Sequence, residues 1–209
     1  MISVLVPSRE RSDMLIKSIY SLGPGDYEVL VAIDKDDPEI DTYKNVVSSN
    51  VRVFITERHG YENLHEYYNL LAKKAKGKWL MLWNDDATML TVDWVSKIEA
   101  QDHTEPIVLN LWKEQDNLFP VISRAWYQAV GHFSMNTHAD SWVQQVGELL
   151  GRTKYIKGID IKHLGEELSD PTHQRVRSVV MQTSEAYRRM EEERKEDARK
   201  INEYLNKRG

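Results

Sequence analysis

Carboxylates recur in this sequence at the points where short apolar runs end. Asp34 and Asp36 follow the run YEVLVAI, and Asn84, Asp85 and Asp86 follow the run WLMLW. Clustered carboxylates repel one another and raise each other's pKa unless a positive charge lies between them. Oxygen ligands suit Mg²⁺ or Mn²⁺, which in turn bind diphosphates. The pattern predicts a bound divalent cation, Mn²⁺ or Mg²⁺, although a single aspartate after a strand is more often a turn or helix-cap residue.

Basic and polar residues are predicted to lie beside these carboxylates. Pro7, Ser8, Arg9 and Arg11 follow the first apolar run, and Arg58 follows the run VRVFI. Two glycine-rich phosphate-binding patterns, GxGxxG and GxxxxGK followed by Ser or Thr, do not occur in the sequence. In folds with those loops, backbone amides bind the phosphate. Here a metal would have to do so instead.

The elements that must position these residues follow from the spacing of the apolar side chains. Runs such as YEVLVAI are too apolar for a strand with one buried face, as expected for a strand buried on both faces of a sheet. Strands separated by helices predict a parallel, doubly wound sheet, in which the carboxyl ends of the strands form the edge where ligands bind. The predicted strands are residues 2–6, 27–33, 51–55 and 79–83, and the predicted helices between them are residues 12–22, 40–47 and 62–75.

The rest of the chain is less regular. Residues 172–209 carry many charges and no proline, and their apolar residues recur at three-four spacing, which predicts one long amphipathic helix. That helix either packs one stripe on the domain or joins copies of the chain into a homo-oligomer, and Arg194 interrupts the stripe and weakens a coiled-coil interpretation. Further helices are predicted at residues 94–100 and 140–150, and strands at residues 107–111, 120–122 and 155–161.

Composition narrows the class of protein. The chain has 209 residues, of which 41% are hydrophobic and 29% charged, values that suit one globular domain and neither a disordered chain nor a membrane span. It has no cysteine, which excludes disulfides, thiolate metal sites and cysteine nucleophiles. Its net charge of −5 argues against coating of nucleic acid. Because the N-terminus shows no signal-peptide pattern, we expect a cytoplasmic protein.

Three blocks of the sequence resemble the family 2 nucleotide-sugar glycosyltransferases, which have the GT-A fold. The blocks are SVLVPSR, EVLVAID and GKWLMLWNDD, and the spacing between them also fits. The resemblance covers residues 1–165 and implies a Rossmann-like α/β fold with a mixed, mostly parallel sheet flanked by helices. Residues 1–171 would form this domain, with a nucleotide-sugar half in residues 1–90 and an acceptor half in residues 91–171, and the charged helix of residues 172–209 would follow it.

The resemblance also implies roles for the residues that follow the strands. Asn84-Asp85-Asp86 takes the place of the family's Asp-x-Asp metal motif, with asparagine where the family usually has aspartate. Direct metal binding would therefore rest mainly on Asp86, and His163 resembles a histidine that many relatives place against the metal or the diphosphate. The residues that would contact the donor are Pro7, Ser8, Arg9, Arg11, Asp34, Asp36, Arg58, Asn84 and Asp85.

Asp140 occupies the place of the family's general base, with Ala139 in place of a second acidic residue. In an inverting transfer, such a carboxylate takes the proton of the acceptor hydroxyl as its oxygen attacks the anomeric carbon. A helix-capping role is the alternative for Asp140. His132, His138 and Trp142 flank Asp140 and are predicted to contact the acceptor.

Asp170 and four tryptophans are further candidates for contact with the donor or the sugar. Asp170 could belong to a loop that closes over the donor. Trp83, Trp112, Trp126 and Trp142 could stack on sugar faces, although core packing is the stronger interpretation for Trp83, which ends a buried strand.

Together these features predict an inverting, metal-dependent glycosyltransferase. Its donor would be a nucleotide-diphospho-sugar, first of all a UDP-sugar, and its acceptor a hydroxyl group of a glycan, a small molecule or a macromolecule. One alternative is a nucleotidyltransferase on a related fold, but the glycine-rich first loop of such proteins is missing here. The other is a non-catalytic nucleotide-sugar-binding or assembly module, which Asn84 and Ala139 favour.

Overall fold

The computed structural model describes residues 1–111, 119–165 and 170–208 of the chain. The strands of these residues are β1 (Ile2–Pro7), β2 (Tyr27–Asp34), β3 (Val51–Thr56), β4 (Trp79–Leu82), β5 (Ala87–Met89), β6 (Val108–Asn110), β7 (Pro120–Ser123), β8 (Thr153–Tyr155) and β9 (Ile161–His163). The helices are α1 (Ser12–Ser21), α2 (Ile40–Lys44), α3 (Leu64–Lys74), α4 (Trp94–Glu99), α5 (Arg124–Val130), α6 (Ala139–Leu149), α7 (Pro171–Arg189) and α8 (Glu191–Asn206). A 3₁₀ turn, Tyr61–Asn63, precedes α3.

Seven strands form one sheet in the order β3-β2-β1-β4-β7-β6-β8. The first four in this order are parallel to one another, β7 is antiparallel to both β4 and β6, and β8 is parallel to β6. β5 and β9 form a separate antiparallel pair. The predicted α/β fold with a mixed, mostly parallel sheet is therefore confirmed.

The sheet is covered by hydrophobic side chains on both faces. β2 is buried at all eight positions: Val29, Val31 and Ile33 pack on one side with α1 and α4, and Leu30 and Ala32 pack on the other with α3, α5, α6 and α8. Side chains alternate between the two faces along a strand, so a strand covered on both sides is apolar at most of its positions. This burial fixes the register of the central strands and hence the positions of the polar residues that follow them.

The single strand predicted at residues 155–161 is wrong. The structure has β8 beside β6 and β9 beside β5, and a loop joins these two short strands. Gly158 in this loop has φ +74°, a left-handed conformation that breaks a strand. Ile156 and Ile159 are nevertheless buried, so a loop that packs into the core produced the apolar pattern.

The predicted C-terminal helix is present as two helices, α7 and α8, that meet at Met190. The turn places the buried guanidinium of Arg194 4.0 Å from the ring centroid of Tyr187, and Nη1 of Arg194 donates to the Tyr187 carbonyl oxygen at 2.6 Å. Ala198 and Ile201 of α8 are buried in the chain's own core. This apolar stripe therefore packs on the domain, and a homo-oligomer formed through the helix stays a prediction.

No helix among the described residues is both long and apolar enough to cross a bilayer.

Glu28 joins the amino ends of the parallel strands, at the edge opposite the predicted ligand site. Its Oε1 accepts hydrogen bonds from Ser3 Oγ at 2.7 Å and from the Lys76 N–H at 2.6 Å, and its Oε2 accepts from Arg52 Nη2 at 2.7 Å. Ser3 Oγ also accepts from the Gly77 N–H, where a Cβ would lie 2.6 Å from the Ser3 nitrogen. Burial acts to raise the pKa of Glu28, but these donors outweigh it and hold the pKa below its ordinary value.

We expect Glu28→Gln to lower the free energy of unfolding by about 1–3 kcal/mol at neutral pH, because it weakens three hydrogen bonds to a buried carboxylate. A lowered pKa stabilises the fold above the ordinary value of 4.5, and that contribution is lost as the pH falls through the folded value. The difference between wild type and variant, measured by urea unfolding across pH, should therefore shrink on acidification. A difference that is constant with pH would contradict this account.

Candidate functional site

Two adjoining cavities lie at the carboxyl ends of the parallel strands. The larger has a volume of about 350 Å³ and the smaller about 220 Å³. The predicted residues that line the larger are Pro7, Ser8, Arg9, Arg11, Asn84, Asp85, Asp86, His138, Asp140 and His163. The predicted residues that line the smaller are Pro7, Ser8, Arg9, Asp34 and Arg58. The structure thus brings together residues from the ends of four strands with the start of α6.

The smaller cavity contains a buried carboxylate held from two sides. Asp34 Oδ2 accepts from Arg9 Nη1 at 2.9 Å, and Asp34 Oδ1 accepts a hydrogen bond from the Tyr67 hydroxyl. The same Arg9 nitrogen donates to Asp36 Oδ1 at 2.8 Å, and Arg58 Nη1 lies 3.5 Å from Asp36 Oδ2. Asp36 is about half exposed and pairs with the two arginines without lining either cavity.

The loop after β1 is strained and is held by a buried aspartate. Glu10 has φ 55°, in the left-handed region that favours glycine. Its N–H donates to Asp37 Oδ2 at 2.9 Å, and Asp37 Oδ1 accepts from the Glu39 N–H at 2.8 Å. Asp37 therefore stabilises the loop that carries Arg9 and Arg11.

Asp85 also ties this loop to the end of β4. Its Oδ2 accepts from Ser8 Oγ at 2.7 Å and its Oδ1 from Arg11 Nη1 at 3.2 Å. Burial, opposed by the charge of Arg11, raises the pKa of Asp85 to about 6. Arg11 Nη2 donates to Asp170 Oδ1 at 2.8 Å, so this guanidinium joins the β1 loop, the β4 end and the start of α7.

Asn84, Asp86 and His163 converge at the junction of β4, β5 and β9. Asp86 Oδ1 lies 3.0 Å from His163 Nε2, and the Asn84 side-chain amide lies 3.2 Å from the same nitrogen. The Gly165 N–H donates to Asp86 Oδ2 at 3.3 Å. Burial acts to raise the pKa of Asp86, but the hydrogen bond and charge of His163 hold it below its ordinary value. The pairing of β5 with β9 brings His163 to this point.

Asp140 lies in the first turn of α6 and faces the larger cavity. Its Oδ1 accepts from the Ser141 N–H at 2.8 Å. The positive end of a helix dipole favours a negative charge at this position. Burial, together with the charge of Asp140, raises the pKa of Tyr61 to about 12, so the Tyr61 hydroxyl stays protonated beside the carboxylate.

The three predicted acceptor residues are placed differently. His138 lines the larger cavity beside Asp140, its Nε2 lies 3.2 Å from Thr183 Oγ1, and burial lowers its pKa. His132 and Trp142 do not line it: the buried Asp197 of α8 lies 2.8 Å from His132 Nε2 and accepts from Trp142 Nε1 at 2.9 Å. These two side chains attach α8 to the domain, and this placement does not fit their predicted acceptor role.

α7 supplies a wall of both cavities that the sequence did not suggest. Asp170 is the N-cap of α7, and its Oδ1 accepts from the His173 N–H at 2.8 Å as well as from Arg11. Thr172 Oγ1 donates to the Arg9 carbonyl oxygen at 3.1 Å. The unpredicted lining residues from α7 are Thr172, His173, Arg175, Val176, Ser178 and Val179.

Aromatic residues near the start of α3 were also missed as site residues. Tyr61 lines both cavities, Tyr68 lines the larger and Tyr67 the smaller. The adjacent tyrosines in an otherwise apolar helical stripe were the available signal, since a buried tyrosine hydroxyl needs a hydrogen-bond partner.

The tryptophans proposed as sugar platforms pack in the core where the structure describes them. Trp83 is fully buried and its Nε1 donates to Ser18 Oγ at 2.8 Å, which confirms the core interpretation for this residue. Trp126 and Trp142 are also buried. Trp112 lies outside the described residues.

No protein-family model matches the sequence, and no curated protein matches it. Solved structures match in fold. The mannosyltransferase PcManGT from Pyrobaculum calidifontis, in complex with GDP-Man and Mn²⁺, aligns with a TM-score of 0.60 and 16% identity, over 76% of this chain and 55% of that one.

TarS 1–349 from S. aureus also matches in two complexes. With UDP the TM-score is 0.57 at 15% identity, over 76% of this chain and 59% of TarS 1–349. With UDP-GlcNAc it is 0.57 at 13% identity, over 86% and 65%. This chain spans between half and two thirds of the length of these solved structures. The sheet order, the site at the carboxyl edge and these similarities together show that the chain has the GT-A fold of nucleotide-sugar glycosyltransferases.

Proposed function

We propose that this chain is an inverting, metal-dependent glycosyltransferase that moves a sugar from a nucleotide-diphospho-sugar to an acceptor hydroxyl. The observation that carries the proposal is the larger cavity, which holds Asn84, Asp86 and His163 at the end of β4 and Asp140 at the start of α6. One cavity thus offers a place for a diphosphate and a carboxylate base. The solved structures of the same fold include complexes with GDP-Man and Mn²⁺, UDP and UDP-GlcNAc, which supports the donor class.

In this proposal the smaller cavity takes the nucleoside. Asp34 is buried there with its oxygens directed by Arg9 and Tyr67, and a carboxylate so held can accept hydrogen bonds from a base or a ribose. Arg11 lines the larger cavity and would present a positive charge to the diphosphate there. We take a UDP-sugar as the first donor to test.

The residues at the end of β4 fit a divalent cation that is shared with the donor. The part of the chain that the structure describes has no group of three or more His, Cys, Asp or Glu side chains that could hold a metal alone. Asp86 and His163 offer an oxygen and a nitrogen, and the Asn84 amide lies beside them. Mg²⁺-type sites at phosphate substrates commonly use one or two carboxylates, and phosphates and water complete the shell. A bound cation would neutralise charge on the departing nucleoside diphosphate.

Asp140 is proposed as the general base. Its carboxylate would take the proton of the acceptor hydroxyl as the hydroxyl oxygen bonds to the anomeric carbon and the bond from that carbon to the diphosphate oxygen breaks. The bonding electrons leave with the nucleoside diphosphate. His138 and Tyr61 line the cavity beside Asp140, and we propose that they contact the acceptor.

A non-catalytic nucleotide-sugar-binding module is the second candidate. Two departures from the family pattern favour it: Asn84 in place of an aspartate, and Ala139 in place of a second acidic residue. Both candidates predict binding of a nucleotide, and only the first predicts turnover.

A thermal-shift screen over nucleoside diphosphates and their sugars, with and without Mn²⁺, tests the nucleotide binding that both candidates predict. We expect one nucleotide with Mn²⁺ to raise the melting temperature, since a ligand at about 100 times its Kd stabilises the folded state by about 2.7 kcal/mol. Asp34→Asn should reduce the shift, whereas Asp41→Asn, at an exposed carboxylate of α2, should not. The absence of any shift with every nucleotide would contradict the proposal.

A further inference from the structure

Four lysines lie close together at the amino edge of the sheet, opposite the two cavities. This lysine patch consists of Lys73 and Lys74, in the last turn of α3, and Lys76 and Lys78, in the loop that leads to β4. All four side chains are exposed. Among the residues that the structure describes, none of the four ammonium groups takes part in an ion pair. A chain with a net charge of −5 thus carries a local surface of positive charge.

The backbone beneath the lysine patch is fixed by two arginines. Arg52 Nη2 donates to the Lys74 carbonyl oxygen at 3.0 Å. Arg124 Nη2 donates to the Gly77 carbonyl oxygen at 2.7 Å and to the Ala75 carbonyl oxygen at 3.0 Å. Both guanidinium groups therefore hold the segment in place, and the lysines present their charge to solvent.

Stabilisation of a helix end accounts for only half of the lysine patch. A positive charge in the last turn of a helix interacts favourably with the helix dipole, which explains Lys73 and Lys74. Lys76 and Lys78 follow the end of the helix, and the effect of the dipole falls off within its last turn. Crowded like charges destabilise the folded state by self-repulsion, and an anionic partner relieves this repulsion.

The negative charge of the rest of the chain does not cancel the lysine patch. Two carboxylates of the same edge, Asp26 and Glu99, are paired with the amino group of Met1. The cavity carboxylates lie at the other end of the strands, and a strand of six residues such as β1 spans about 20 Å. Since the Debye length is about 10 Å at ~0.1 M salt, the charge of these carboxylates is largely screened at the patch.

We propose that the lysine patch binds the surface of an anionic lipid bilayer, so that the chain docks peripherally with its cavities facing away from the lipid. A lysine ammonium is a compact point charge that suits a diffuse array of anionic headgroups, whereas phosphate and nucleic-acid recognition favours the bidentate fork of arginine. The two arginines of this surface, Arg52 and Arg124, already donate to carbonyl oxygens, which disfavours nucleic acid as the partner. This inference does not depend on the proposed function.

Sedimentation with lipid vesicles tests the proposal. We expect the wild-type chain to pellet with vesicles of phosphatidylglycerol and phosphatidylcholine in equal parts, and not with vesicles of phosphatidylcholine alone. Each lysine near an anionic surface contributes about fivefold to partitioning, so replacing all four by glutamine should lower the partition coefficient by roughly 10²- to 10³-fold. Binding should also be lost at about 1 M salt, where the Debye length falls to about 3 Å.

The matched control makes the same change of net charge at exposed lysines elsewhere on the chain. Its four substitutions are Lys17→Gln, Lys44→Gln, Lys157→Gln and Lys195→Gln. It should bind anionic vesicles as wild type does, and both variants should keep the wild-type melting temperature because all the substituted side chains are exposed. If the variant of the whole patch does not fold, Lys76→Gln combined with Lys78→Gln should still lower partitioning by about 10- to 50-fold.

Three results would overturn the proposal. The first is no binding of wild type to anionic vesicles, or equal binding to phosphatidylcholine alone. The second is an equal loss of binding in the patch variant and in the control, which would show an effect of net charge only. The third is tighter binding to fluorescently labelled duplex DNA than to anionic vesicles at the same salt, which would make nucleic acid the partner. Because the vesicle assay contains no nucleotide, failure of the proposed function would leave this inference standing.

Discussion

Asp140→Asn is expected to lower the turnover number by roughly 10²- to 10⁴-fold, the usual contribution of a general base. Asparagine keeps the shape of the side chain and can still accept from the Ser141 N–H, which lies 2.8 Å from Asp140 Oδ1. Its neutral amide cannot take a proton from the acceptor. Donor affinity should remain nearly unchanged, because Asp140 lies at the start of α6 and is not among the residues proposed to hold the nucleoside or the diphosphate. The measurement is kcat and donor KM, from the release of nucleoside diphosphate.

Glu148→Gln provides the matched control for Asp140→Asn. It makes the same change of charge on the same helix, at an exposed position away from both cavities. Its turnover should equal that of wild type. Loss of donor binding in Asp140→Asn would move Asp140 from the role of base to the donor site, and unchanged turnover would remove it from the mechanism.

Asp86→Ala is expected to abolish the part of nucleotide binding that depends on Mn²⁺. Asp86 contacts His163 at the end of β4, and its low pKa keeps it ionised as a cation ligand must be. The loss should exceed the roughly 10- to 100-fold that follows removal of a partner lying behind a metal ligand. Calorimetric titration of the nucleotide, with and without Mn²⁺, measures it.

The comparison for Asp86→Ala is Asp37→Asn, at another buried carboxylate of the same sheet edge. Asp37 accepts from the backbone N–H groups of Glu10 and Glu39, so its loss should lower thermal stability and leave the Mn²⁺ dependence of binding intact. If Asp86→Ala keeps the full effect of Mn²⁺, a cation at Asp86 is contradicted.

Much of the sheet could be predicted because its central strands are long and buried on both faces. β2 is apolar at nearly every position, and such runs are distinct in a sequence. β8 and β9 have three residues each, too few for a periodic pattern. The buried Ile156 lies in the loop between them, and its apolar side chain made the sequence resemble one continuous strand. The break at Met190 could not be predicted from periodicity, because α7 and α8 both have helical spacing.

The site could be predicted to the extent that it follows from strand ends. Asp34 and Asp86 come together because parallel strands end at one edge. Trp142 was predicted to contact the acceptor because it is close to Asp140 in the sequence. On a helix, however, a residue two positions after Asp140 points about 200° away around the axis. The wall formed by α7 could not be foreseen, since no local pattern tells which surface a charged helix will cover.

The larger cavity is proposed to transfer a sugar and not merely to bind one. The most direct measurement is the release of nucleoside diphosphate from the donor found by thermal shift, with Mn²⁺ and with water or a panel of alcohols and glycans as acceptor. We expect release by wild type that Asp140→Asn lowers by roughly 10²- to 10⁴-fold and that Asp86→Ala also lowers. A nucleotide that binds with Mn²⁺ but is released by wild type no faster than by these variants would contradict the claim.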